Sequence, residues 1–234
     1  SRRGHIGEAT IASLAGSLGN IGYMGPALAL ATFGLDAAVP VALIFCFDTL
    51  LMFSLVPFLM ALASPKRTSI GAVAFNAAKS IALNPLVISV AIGVLSAALR
   101  FEPPVALERL LLFLQNAAAP CALFTLGVTV ALRPLQTVPW EVPPLIVIKL
   151  VAHPVILFFL LSALGAFDET WVATAILMAA LPPALSVYVF ARQYDTWVEQ
   201  ASSSVLFGTL ASVATLTLVM WLAKTHMLPP LLFR

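Results

Sequence analysis

The chain has 234 residues, of which 61% are hydrophobic and 9% charged, with a formal net charge of +2. A soluble domain carries roughly 25% charged residues, so this composition excludes a water-soluble enzyme or binding module and fits a helix bundle whose outer surface meets lipid. The basic residues stand at the ends of apolar runs and form no stripe, which excludes a nucleic-acid partner and makes the lipid bilayer the expected surroundings.

A bilayer crossing takes about 20 mostly apolar residues. The first such run, 8–33, is broken in its middle by Gly19-Asn20-Ile21-Gly22-Tyr23-Met24-Gly25-Pro26, where glycines and a proline defeat the helical hydrogen-bond ladder. The second run is 37–63 and carries Asp48 near its centre. A short amphipathic segment, 68–82, puts Ile70, Val73, Ala77 and Ile81 on one face and is expected to lie at the membrane interface. Three unbroken runs follow, at 85–101, 105–132 and 142–165. The sixth span, 170–192, is interrupted at Leu181-Pro182-Pro183, because Pro183 donates no hydrogen bond and disfavours helix at Pro182. The last is 198–223. The fold class is therefore an all-α integral membrane protein with seven transmembrane helices in this chain.

A broken span followed by an intact one occurs twice, and five spans lie between 85 and 223. The expected organisation is a transporter with two five-helix repeats. Residues 1–63 would supply the last two helices of the first repeat, 64–84 a cytoplasmic connection with an interfacial helix, and 85–234 the whole second repeat. Three helices of the first repeat are then expected ahead of Ser1, and the chain shows no signal-peptide pattern. Paired interruptions in corresponding positions of two halves point to a transporter binding site.

Alternate connections differ in Lys and Arg. One side holds Arg2, Arg3, Lys66, Arg67, Lys79, Arg133 and Arg192; the other holds Arg100, Arg109, Lys224 and Arg234. The richer side is expected to be cytoplasmic, in an inner (cytoplasmic) membrane, which puts the C-terminus on the non-cytoplasmic side.

Unpaired backbone at the centre of a membrane persists only against protein, water or a ligand. Asn20 at the first break can hold a carboxylate beside free N–H groups, or simply cap the half-helix. Gly22, Gly25 and Pro26 shape that break. Pro182, Pro183 and Ser186 form the second, either as a binding crossover or as a proline kink. Asp48 is a candidate proton-coupling group, or a structural hydrogen-bonded carboxylate. Lys149 shares a helix face with His153 and either attracts an anion, pairs with Asp48, or snorkels to the interface about 10 Å away. His153, ahead of Pro154, reads as structural. Gln115 and Asn116 line a cavity or bond between helices. Tyr188, Phe190 and Tyr194 read as packing or interface anchors. Cys46 and Cys121 read as small core residues.

These motifs resemble the auxin efflux carrier family, whose bacterial members include malonate-transporter-like proteins. Asn20-Ile21-Gly22-Tyr23-Met24-Gly25-Pro26 is similar to the family's first crossover, and Asn84-Pro85-Leu86 with Gly93 to the start of its second repeat. Pro120, Leu123-Phe124 and Gly127 resemble its seventh helix, Lys149 with Pro154 its eighth, and Pro182-Pro183 through Tyr188 to Tyr194 its second crossover. The resemblance implies ten helices in two inverted repeats, two broken helices crossing at mid-membrane beside a scaffold domain, and both termini outside. It also implies malonate-like dicarboxylates or other weak acids as substrates. Where family members often carry Asn after the second crossover proline, this chain has Ser186.

The expected function is secondary active transport of small organic anions, with no cofactor and no metal site, driven by H+ or Na+. A channel or a non-translocating receptor is the alternative. Neither H-E-x-x-H nor G-x-S-x-G occurs, so an intramembrane enzyme is not expected. A homodimer is a further expectation.

Overall fold

In a computed structural model, the structure describes residues 2–63, 69–83, 85–131, 138–165 and 167–225. They form helices α1 (Arg2–Ser17), α2 (Gly25–Phe33), α3 (Ala38–Ala63), α4 (Ile70–Ala82), α5 (Pro85–Ala98) and α6 (Val105–Ala131). These are followed by α7 (Val142–Val147), α8 (His153–Leu164), α9 (Glu169–Ala179), α10 (Leu185–Gln193) and α11 (Val198–Lys224). Each expected span has its counterpart. The two broken spans are the half-helix pairs α1–α2 and α9–α10, and the expected interfacial segment is α4. The side chains of Ile70, Val73, Ala77, Ile81, Pro120, Leu123 and Gly127 lie outside the described set, as do Asn84, Lys66, Arg67, Arg133 and Arg234.

Among the described residues, three helical stretches are long and apolar enough to cross a membrane: Gly25–Ala63, Val142–Leu164 and Val198–Lys224. The first turns at a 3-10 segment, Gly34–Ala37, where Gly34 at φ +71° ends α2 in a backbone conformation that favours glycine. The broken spans do not qualify as single crossings, because each is divided into two short helices.

Local sequence explains the irregular turns. Pro154 has no N–H, and its ring crowds the carbonyl four residues back. The chain responds by widening into a π-turn, Ile148–Ala152, in which the His153 N–H reaches Ile148 O. Asp168 caps α9, its Oδ1 accepting from the N–H of Thr170 at 2.9 Å and of Trp171 at 3.4 Å.

The core falls into two clusters, one on each side of the breaks. Ile11, Ala15 and Leu18 of the first broken span pack with Val187, Phe190 and Ala191 of α10, Val56 and Met60 of α3, and Ala201 and Val205 of α11. Met24 and Ala29 pack with Leu177 and Met178 of α9, Val41 of α3 and Leu216 of α11. Half-helix α1 thus pairs with α10, and α2 with α9, and the two broken spans cross between the clusters.

Large apolar side chains cover the outside, among them Phe47 at 70% and Leu51 at 63% exposure. In water such a surface would drive aggregation; in a bilayer it faces lipid tails. Cys121 is a correction: it is exposed on α6 rather than buried in the core, and Cys46 is half-buried.

Candidate functional site

The two breaks meet through their backbones. Gly19 and Pro183 form an antiparallel bridge. On either side of it the Asn20 N–H donates to Pro182 O at 2.8 Å and the Ala184 N–H donates to Leu18 O at 3.1 Å. Each break therefore satisfies part of the other's interrupted ladder, which is how irregular backbone is tolerated at membrane depth. All four half-helices have one end at this point. Helices α1 and α9 arrive with their C-termini, and α2 and α10 leave with their N-termini.

A cavity of about 150 Å³ opens beside the crossing. Gly19, Asn20, Gly22 and Tyr23 line it ahead of α2, and Ala184, Leu185 and Ser186 line it at the start of α10. One face of α3 closes it with Phe45, Asp48, Thr49, Met52 and Phe53. A single water needs only about 10–15 Å³ on this kind of measure, so there is room for a small organic molecule. Both half-helices that begin here lack a side-chain cap at their N-caps, Met24 and Ala184. Their first N–H groups and positive dipole ends therefore favour an anion.

Asn20 is 2% exposed and its Nδ2 has no hydrogen-bond partner. A buried donor left unsatisfied costs about 1–3 kcal/mol. It does not cap α2 through its side chain, which disposes of the simple capping reading.

Of the other expected site residues, Gly22, Ser186 and Asp48 line the same cavity. Gly25, Pro26, Pro182 and Pro183 shape it from outside. A Cβ on Gly25 would lie 2.8 Å from Met178 Sδ, so glycine there lets α2 approach α9. Pro26 opens α2 in the first helical turn. Pro182 and Pro183 are fully buried.

Lys149 corrects the snorkelling reading. It is 0% exposed, and its Nζ donates to Ala179 O at 2.5 Å and lies 3.0 Å from His153 Nδ1. The widened turn made by Pro154 carries it inward. It does not line the cavity. Gln115 and Asn116 are exposed and away from the cavity. Phe190 is a packing residue, edge-on to Phe53 at 6.3 Å between ring centroids.

Sequence reading missed Gly208 on α11. A Cβ there would lie 2.6 Å from Pro183 Cδ, so α11 rests its bare backbone against the second break. An isolated glycine within an apolar helix was the only available signal. It also missed Phe45, Thr49, Met52 and Phe53, which look like ordinary span residues until α3 is placed beside the crossing.

A family model described as "Membrane transport protein" matches residues 3–221. The chain belongs to the membrane transport protein family, that of the auxin efflux carriers. This membrane transport protein is 49% identical over 232 residues to a protein of Rhizobium meliloti named "Putative malonate transporter", covering 99% of this chain and 72% of the relative. It is 28% identical over 142 residues to "Auxin efflux carrier component 5" of Arabidopsis thaliana, covering 58% of this chain and 40% of the plant protein. The membrane transport protein is thus a multi-pass helical protein of a carrier family, with a broken-helix crossing and a small cavity beside it.

Proposed function

We propose that the protein is a secondary active carrier of small organic anions, malonate-like carboxylates among them, and that the anion binds in the cavity at the crossing. The observation that carries this reading is the unpartnered Nδ2 of Asn20, buried at the point where two uncapped half-helices begin. A carboxylate there would accept from the Asn20 amide, from the Ser186 hydroxyl, and from backbone N–H groups at the start of α10. Gly22 leaves the backbone open to it. Gly25, Pro26, Pro182 and Pro183 keep the break in shape. The name of the Rhizobium meliloti relative supports malonate as the first substrate to try.

Asp48 shares the cavity with the anion. Two negative charges about 4 Å apart repel by roughly 4 kcal/mol at an effective dielectric of 20. A proton on Asp48 removes that repulsion and lets its carboxyl donate to the substrate. Anion binding and proton binding are then linked, and a proton gradient can drive accumulation. Alternating access follows from movement of the crossing elements against the remaining helices. The protein sits in the cytoplasmic membrane with its C-terminus on the non-cytoplasmic side.

The test is uptake of labelled malonate and malate into proteoliposomes holding the intact native protein, with and without a pH gradient. Saturable uptake stimulated by the gradient is expected. Asp48→Asn, which keeps the shape and a donor, is expected to retain binding and exchange but lose at least tenfold of the gradient stimulation. Absence of saturable flux from a folded protein removes the dicarboxylate assignment, and conductance far above carrier turnover replaces the carrier with a channel.

A further inference from the structure

The second break leaves two carbonyls without their usual donors. In an unbroken helix the N–H groups of residues 182 and 183 would serve Met178 O and Ala179 O. Both positions are proline, so neither N–H exists. Met178 O accepts instead from the Leu181 N–H at 3.4 Å, and Ala179 O accepts from Lys149 Nζ at 2.5 Å. The negative end of the α9 dipole is therefore met by the amino group of a lysine carried on another helix. Lys149 is completely buried, and His153 Nδ1 lies 3.0 Å from its Nζ. Burying an ammonium costs several kcal/mol unless its donors are satisfied, so this placement is specific.

In transporters with broken helices, half-helix C-terminal ends and unwound carbonyls are where a coupling Na+ is coordinated. Here that position is taken. We propose that Lys149 is a resident cation at the end of α9, fixed by Ala179 O and His153, which supplies the charge a bound sodium ion would otherwise supply and keeps sodium from binding there. Two features of the chain make this possible. Pro182-Pro183 exposes the carbonyl, and Pro154 widens the turn that brings Lys149 to it. The inference concerns the C-terminal end of α9, so it holds whatever anion the N-terminal ends accept.

The test follows thermal unfolding of the intact protein by tryptophan fluorescence, in sodium, potassium and choline chlorides of equal ionic strength. Wild type is expected to unfold at one temperature in all three. Lys149→Ala, which vacates the position and frees the carbonyl, is expected to gain about 3–5 °C in sodium alone, at a sodium concentration about tenfold above its dissociation constant. Folding of Lys149→Ala only in sodium would be the same result in stronger form. Lys149→Met, which removes the charge but fills the space, is expected to show no sodium preference. A folded Lys149→Ala indifferent to sodium overturns the proposal. Sodium-specific stabilisation or sodium-stimulated uptake in wild type overturns it as well, whatever the variants do. Because unfolding needs no substrate, these outcomes are separable from failure to transport malonate.

Discussion

Replacing Asn20 with alanine is expected to lower the apparent malonate affinity by about 10- to 100-fold while leaving thermal stability unchanged or slightly higher. A hydrogen bond to a charged group contributes about 1.5–3 kcal/mol, and each 1.4 kcal/mol is a factor of ten in binding. The stability side follows from the unpartnered Nδ2. Deleting a buried donor that bonds nothing removes a penalty, and the lost packing of a small side chain offsets part of that gain. Uptake kinetics and unfolding temperature, measured on the same preparations, check both halves. If Asn20→Ala instead loses about 2 kcal/mol or more of stability, the amide is structural and the anion site must lie elsewhere.

The second large effect is expected at Gly208. Alanine normally stabilises a helix interior by about 1 kcal/mol over glycine. At Gly208 the sign should reverse, because the new methyl would lie 2.6 Å from Pro183 Cδ and 3.0 Å from Cγ. A proline ring has no side-chain rotation with which to move away, and Pro183 is also held by its bridge to Gly19. Overpacking of this kind costs about 1–3 kcal/mol. It should also loosen the bond from the Asn20 N–H to Pro182 O, and so reduce uptake. Gly25→Ala supplies the contrast, since the atoms it meets are Met178 Sδ at 2.8 Å and Cε at 3.0 Å, the far end of a flexible side chain. Its loss should be the smaller. Chemical denaturation of both variants decides the order, and a Gly25→Ala more damaging than Gly208→Ala would mean that the crossing is not held by α11.

Much of this architecture is written locally. A run of apolar residues long enough to span lipid declares itself without any partner, and so do the interruptions. Glycine and proline act through their own backbones, so the breaks at Gly19 to Pro26 and at Pro182-Pro183 are properties of those residues. The pairing of a broken span with an intact one repeated along the chain, and Asn20 stood out because a polar amide at such a break is costly unless it is used.

Other features depend on neighbours distant in sequence. Lys149 illustrates the difference. Its position about 10 Å into a span allowed it to snorkel, and only the turn widened by Pro154, together with the orphaned Ala179 carbonyl brought alongside, sends it inward. Gly208 carried no distinguishing signal until α11 was laid against Pro183. Gln115 and Asn116 were reasonable cavity residues by polarity, yet they face outward. That this is a membrane-spanning helical chain, and where its helices break, follows from the residues alone, because chain geometry and lipid impose those requirements residue by residue. Which breaks satisfy each other, which half-helix ends face the cavity and where the buried lysine lies were settled by tertiary packing, because those are relations between segments distant along the chain: Gly19 meets Pro183, and Lys149 meets Ala179 30 residues on.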